Sequence, residues 1–396
     1  MNRNFTAFQE EFHHWYTRVM KVLIVGGGIA GCTCAALMKK YGIAEVTLIE
    51  RASEFGNIGY LIALWGNGRR ILKELGIDEE VAVKNGCEYD TDTFMDSNGR
   101  LLKKVSLAVF KRFFATVVIK RTDLHRGLFE LLEGIPFRYK TTVTRLVEND
   151  RAVRVEFSDG SVGEYDLVVG ADGIHSSIRE QVFGNSFLRP YGWGVWMYWM
   201  PESATPLPSE VVAFYGNARW CGILPFYTTS VATIIAKVPF GTGHPLERRR
   251  TALVDLFSDF CEPARAIIAA APAPEQIYYD ELATVEMPRW YKGRVVLMGD
   301  AHHAISPVTG MGASMAIEDA WVLVDELRRG GTLASILSRY ADRREKRIRA
   351  FRKIVERLDR WTMAEGVSAA LRNIALPYMP VGYFLNPVKD FVGAEI

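Results

Sequence analysis

Three glycine-bearing stretches carry residues whose types and spacing suit chemistry. The first is Gly26-x-Gly28-x-x-Gly31, placed directly after the apolar run 21–25 and before a helix-forming run, 32–41, that Gly42 closes. In that setting Gly26 permits a tight turn, Gly28 lets the backbone approach a pyrophosphate, and Gly31 allows close helix–strand packing. Ile29 and Ala30 fall at the helix start, whose free N–H groups and positive dipole end favour an anion. Glu50 stands nineteen residues beyond Gly31, at the end of the next apolar run. A carboxylate there accepts hydrogen bonds from an adenosine ribose and repels a 2′-phosphate, which favours FAD or NAD over NADP as the resident ligand.

The second stretch, 170–179, sets Asp172-Gly173 at the end of the unalternating apolar run 167–169, where open α/β sheets bind ligands, so Asp172 is a cofactor-contact candidate, with Ser176 or Ser177 available to cap the following helix. The third runs from Gly299-Asp300 through Pro307 to Gly310, Gly312 and Ala313. A second glycine cradle far from the first suits a dinucleotide with a large second ring system. Asp300 would bind the ribityl chain, and the later helix start would stabilise negative charge on the ring. His302 and His303 follow Asp300, but adjacent residues rarely share one ion, so no metal site is expected. His303 stays a proton-shuttle candidate. Cys32 and Cys34 sit two apart on a helix and point to different faces, which suits core packing.

These residues need a strand–turn–helix–strand unit to hold them, and residues 21–50 have that pattern. The expected fold class is α/β: a Rossmann-like FAD-binding domain with a parallel sheet, an inserted β-rich substrate domain and C-terminal helices. The FAD-binding domain is expected at 20–85, 120–185 and 285–330, and the substrate domain at 86–119 and 186–284. A helical region follows at 331–396, and 1–19 is read as an extension before a natural start at Met20. Asp123 is expected to cap the helix that begins at Leu124. The chain has 396 residues, 49% of them hydrophobic, and a formal charge of +2, which excludes disorder and a dedicated nucleic-acid surface. Its five cysteines are too scattered for a disulfide framework or a zinc site, which fits a reduced, cytoplasmic compartment. No stretch is apolar enough to span a membrane. The apolar tail after Gly366 is left to close the site, form a dimer contact or touch a membrane surface, so monomer and homodimer both stay open.

Together the three motifs resemble the group A flavoprotein monooxygenases, the family of para-hydroxybenzoate hydroxylase, in order and spacing. Glu50-Arg51 and the segment 120–124, with Arg121 at a helix start, fit as well, and the match spans residues 21–360. The resemblance implies FAD as cofactor, with NADH or NADPH as a transient electron donor. Glu50 would meet the adenosine ribose, and Arg51 and Arg121 the adenosine and pyrophosphate. Asp300 would lie near the pyrophosphate and ribityl chain, and Pro307, Gly310 and Gly312 near the isoalloxazine. Ser314 stands where members often carry Asn. The implied reaction is hydroxylation of a substrate by molecular oxygen through a flavin hydroperoxide.

Residues 193–227 are dense in aromatic side chains. Trp193, Trp196, Tyr198, Phe214 and Trp220, with Pro307, are the substrate-contact candidates, and Tyr198 joins His303 as a catalytic candidate. No Arg or Lys falls between Tyr191 and Met200, so a sizeable, mostly apolar aromatic or polycyclic substrate is expected. Rival readings are a flavin-dependent halogenase, whose Trp-x-Trp-x-Ile-Pro signature survives at Trp220 and Pro225 but has Gly222 in its middle, and an FAD-dependent reductase. A non-catalytic flavin-binding redox module is the alternative from another class.

Overall fold

The computed structural model describes residues 19–54, 60–108, 111–184, 186–201, 210–241 and 243–396. The extension expected at 1–19 therefore lies outside the described residues except for Val19, and the first strand begins at Met20.

A six-stranded sheet forms one half of the molecule. Its order is Phe137–Arg138, Ala44–Ile49, Met20–Val25, Leu167–Gly170, Val295–Leu297 and Tyr291–Lys292, parallel throughout except for the last pair. Val22, Leu23 and Ile24 are fully buried, as are Leu167, Val168 and Val169, because both faces of the sheet are covered. The helices Ile29–Tyr41, Arg121–Glu130 and Gly312–Arg329 pack on one face. A three-stranded antiparallel sheet, Val143–Glu148, Val153–Phe157 and Val162–Tyr165, covers the other. The first helix stops at Gly42, whose φ of 62° is the left-handed conformation expected of a C-terminal cap. The helix assigned to Asp123 starts earlier, at Arg121, so Asp123 occupies the first turn and does not cap it.

The second half is a seven-stranded sheet. Its strands, in spatial order, are Tyr278–Val285, Leu188–Trp199, Thr229–Lys237, Arg219–Phe226, Val211–Tyr215, Thr91–Asp96 and Leu101–Ser106. Two segments distant in sequence, around 91–106 and 188–285, thus build one sheet. One face carries a core with the helices Arg249–Leu256 and Glu262–Ala269. The other faces the first half across a cleft.

The helix Leu333–Thr362 braces the first half, and the tail folds back onto the body. Val388, Phe391 and Val392 are buried, and Phe391 stacks on Phe351 at 5.9 Å. The short helix Val367–Ala375 leaves Val367, Leu371 and Ile374 exposed, with Tyr378 just beyond. No helix among the described residues is long and apolar enough to cross a membrane.

Candidate active site

The glycine turn is shaped by contacts that leave no choice at two positions. Gly26 has φ of 107°, and a Cβ on Gly31 would lie 2.0 Å from the Gly26 carbonyl oxygen. A Cβ on Gly28 would meet nothing within 4 Å, because that residue faces an open chamber. Glu50 secures the turn from the neighbouring strand: its carboxylate accepts from the Gly27 N–H at 2.8 Å and the Ala52 N–H at 2.9 Å. Gly28, Ile29, Ala30 and Arg121 all line the chamber, and the Arg121 guanidinium sits over the Tyr60 ring at 5.7 Å.

The third motif closes the chamber, of about 500 Å³, from the other side: Asp300, Pro307, Gly310, Gly312 and Ala313 line it together with the first motif. Gly310 needs its φ of 64° and its missing Cβ, which would come within 2.9 Å of the Ala63 side chain. Gly312 opens the helix Gly312–Arg329, and its Cβ position is empty like that of Gly28. Two helix N-termini, each with a glycine at its open edge, therefore face one chamber, the arrangement a long diphosphate-bearing ligand requires. Ser314 is fully buried; its hydroxyl accepts from the Trp65 N–H at 3.0 Å and packs where Gly68 leaves room, so a small side chain is required there.

Two expected ligand contacts lie elsewhere. The Asp172 carboxylate accepts from the Ser176 and Ser177 hydroxyls and from the Ser177 and Ile178 N–H groups. The helix Ser177–Phe183 is capped by Ser176, as expected, whose hydroxyl accepts from the Arg179 N–H at 2.9 Å; Asp172 supports that cap, and its neighbours Ala171 and Gly173 line the chamber instead. Arg51 is exposed and lines neither chamber described here.

A second chamber of about 390 Å³ adjoins the first, and Ala63, Val118, Trp220, Leu224, Val308 and Thr309 belong to the walls of both. The tail supplies part of its wall, through Leu376, Val381, Phe384, Leu385 and Val388, beside Trp361 of the long helix. Of the aromatic candidates, Trp220 lines both chambers and Pro307 the first. Trp196, Tyr198 and Phe214 do not reach either. They lie in the core on the opposite face of the sheet, where the Tyr198 hydroxyl donates to the Ile267 carbonyl at 2.9 Å. Strand alternation is the reason: Val195 and Met197 face the chamber, so Trp196 and Tyr198 face away. Trp193 has the right parity but stacks on Tyr191 at 5.0 Å, outside both linings. The Tyr191 hydroxyl in turn accepts from the Ser306 N–H at 3.3 Å, beside Pro307.

His303 is buried behind the site, not in it. Its Nε2 lies 2.6 Å from Asp319, which also accepts the Gly299 N–H at 2.7 Å. The Arg344 guanidinium binds Asp319 at 2.6 Å and Glu318 at 2.7 Å, and Arg347 and Asn67 complete the Glu318 shell. Burial alone would raise the Asp319 pKa, but His303 and Arg344 hold it well below the usual carboxylate range. This network, which fixes the Gly299-Asp300 turn to two helices, has one mark in the sequence: Glu318-Asp319 interrupts the apolar run 315–324. Among the described residues no group of three or more His, Cys, Asp or Glu could hold a metal ion. Cys32 and Cys34 are both buried in the core, and burial pushes the Cys32 thiol up to about 12.

The family model of the FAD binding domain matches residues 19–354. A 2-heptyl-3-hydroxy-4(1H)-quinolone synthase of Pseudomonas aeruginosa is 30% identical over 371 residues, covering 91% of this chain and 94% of that one. A 3-amino-4-hydroxybenzoate 2-monooxygenase of Streptomyces platensis is 31% identical, covering 90% and 92%. The crystal structure of Klebsiella pneumoniae HpxO with FAD and uric acid superposes with a TM-score of 0.85 at 25% identity, covering 94% of this chain and 96% of that one. With the twin glycine cradles on one chamber, these likenesses give the conclusion: the chain belongs to the FAD-dependent aromatic monooxygenases, the group A flavoprotein family.

Proposed function

We propose that this protein hydroxylates a mostly apolar aromatic or polycyclic substrate, using FAD, molecular oxygen and NADH or NADPH as transient donor. The single observation that carries this reading is the shared wall between a chamber built for a dinucleotide and a second, apolar chamber large enough for a polycyclic ring system. When bound, the flavin supplies the redox chemistry: it takes electrons from the nicotinamide and activates oxygen for insertion into the ring.

The chain's own residues bind, orient and exclude water. Backbone N–H groups at the two helix starts, by Gly28 and Gly312, would take the pyrophosphate and the electron-rich edge of the flavin ring. Glu50, already held by two N–H donors, would accept from the adenosine ribose, and Arg121 would neutralise phosphate charge. Asp300 would meet the ribityl chain, and the backbone of Ala171 and Gly173, not the Asp172 carboxylate, would border the ligand. Pro307, Val308 and Trp220 would form the junction where substrate meets flavin, and the apolar walls beyond would keep water from it.

Hydroxylation is favoured over halogenation by a local observation. A Cβ on Gly222 would lie 2.3 Å from the Trp220 ring, so the second Trp of the halogenase signature has no room beside the first. The cytoplasm is proposed as the location; none of the five cysteines is in a disulfide.

The test is anaerobic reduction of the FAD-loaded protein by NADH and by NADPH, with and without polycyclic phenols, followed by oxygen. A compound that accelerates reduction and gains one oxygen atom supports the reading. A protein that binds no FAD, or returns chlorinated or hydrogenated product, overturns it.

A further inference from the structure

The second chamber contains several polar side chains, and nearly all are engaged by the protein itself. The Tyr89 hydroxyl donates to the Pro225 carbonyl, Lys103 Nζ to the Pro377 carbonyl and Thr116 Oγ1 to the Phe114 carbonyl. The buried Arg372 guanidinium directs its N–H groups to the Trp361, Thr362 and Gly216 carbonyls and to the Asn373 side chain. Asp92 differs. It lies on the strand Thr91–Asp96, whose backbone is paired on both sides, and shares the chamber face with Phe94, while its carboxylate has no hydrogen bond or ion pair with any described residue.

An unpartnered carboxylate on a largely apolar wall is costly unless something else supplies a donor. Burial, assisted by the like charge of Glu210, raises its pKa to about 6, so at pH 8 it is an ionised acceptor on the chamber wall. The two cations that line this chamber among the described residues, Arg372 and Lys103, donate to carbonyls and form no ion pair with it.

We infer that Asp92 is a specificity-determining residue that accepts a hydrogen bond from an N–H group of the substrate, which selects aromatic nitrogen heterocycles or aryl amines bearing such a donor. This rests on the proposed reading of the second chamber as the substrate site. The same carboxylate disfavours substrates that carry a carboxylate of their own, by like-charge repulsion in a low-dielectric space. A site built to accept from a donor also rejects the isostere that lacks one, since the buried acceptor is then left unmet.

Carbazole and dibenzofuran share a tricyclic shape and differ in an N–H against an ether oxygen. Their binding to the FAD-loaded protein at pH 8 is measured by equilibrium dialysis, with bound FAD read from its absorbance in every variant. Carbazole is expected to bind about tenfold to a hundredfold more tightly, the range for one hydrogen bond to a charged acceptor. Asp92→Asn, which keeps the shape, loses most of that preference, and Asp92→Leu loses all of it. Equal binding of the two compounds, binding of neither, or a preference that survives in the Asn variant overturns the inference. Ring hydroxylation with equal binding would overturn it while the monooxygenase reading stood. A preference for carbazole without any oxygenation would support it while that reading fell.

Discussion

Asp319 accepts the Gly299 N–H and lies 2.6 Å from His303 Nε2, so one buried carboxylate ties the turn that delivers Asp300 to the helix that begins at Gly312. His303, the proton-shuttle candidate of the sequence, is here part of the brace behind the chamber, while His302 stacks on Trp290 at 3.6 Å.

Replacing that carboxylate tests the brace. Asp319→Asn leaves the buried Arg344 guanidinium with one fewer counter-charge and is expected to cost about 3–5 kcal/mol, as breaking a buried pair does. The folded-state pKa of Asp319 is depressed, so its contribution is fully present above the unfolded value near 3.9 and fades as pH falls below it. Thermal unfolding from pH 7 to pH 3 should show a steeper fall for the unaltered protein than for the variant. Parallel curves would overturn the assignment.

Gly28 and Gly31 separate binding from folding. Gly31→Ala drives a methyl into the Gly26 carbonyl and should lower stability by about 1–3 kcal/mol or more, read from the denaturant midpoint. Gly28→Val places its side chain in open chamber; the fold should persist while FAD binding weakens by about tenfold or more, the effect of losing one hydrogen bond to a charged group. Titration with FAD followed by fluorescence measures the second effect.

Trp196 and Trp220 should differ in kind. Trp196→Ala empties a core site and should cost about 3–5 kcal/mol of stability. Trp220→Ala enlarges the junction between chambers and should act chiefly on KM and on uncoupled NAD(P)H oxidation. The reverse pattern would place the substrate on the other face of the sheet.

Asp359 gives a pH dependence of opposite sign to Asp319. One oxygen accepts the Ser306 hydroxyl at 2.7 Å, the other is buried without a partner, and burial raises the pKa to about 7. An acid with a raised folded pKa binds its proton more tightly when folded, so stability declines as pH rises from about 4 to about 7 and is level above. Asp359→Asn should remove that decline, leaving the variant more stable than the unaltered protein at pH 8 by a few kcal/mol at most, and no more stable at pH 4. Stability curves at the two pH values check it.

The cofactor cradle was legible because it depends on local geometry. A turn of φ 107° at Gly26, a carbonyl that no Cβ could approach at Gly31 and a strand-ending carboxylate at Glu50 are demands on residue type at fixed short spacing, so they leave a pattern in the chain. Local chemistry also misled where two local uses compete: the Asp172 carboxylate turns back to the Ser177 and Ile178 N–H groups, beside the Ser176 cap that the sequence did indicate.

The amino-acid order alone thus determined the strand–glycine–helix units and the flavin-type ligand. Tertiary structure decided which side of each strand meets the chamber, since a shift of one residue exchanges Val195 for Trp196 while leaving composition unchanged. It also decided that strands near 91–106 join those of 188–285, that the tail walls the second chamber, and that Glu318, Asp319, Arg344 and His303 neutralise one another. Those partners are brought together by long-range packing, which residue spacing along the chain does not encode.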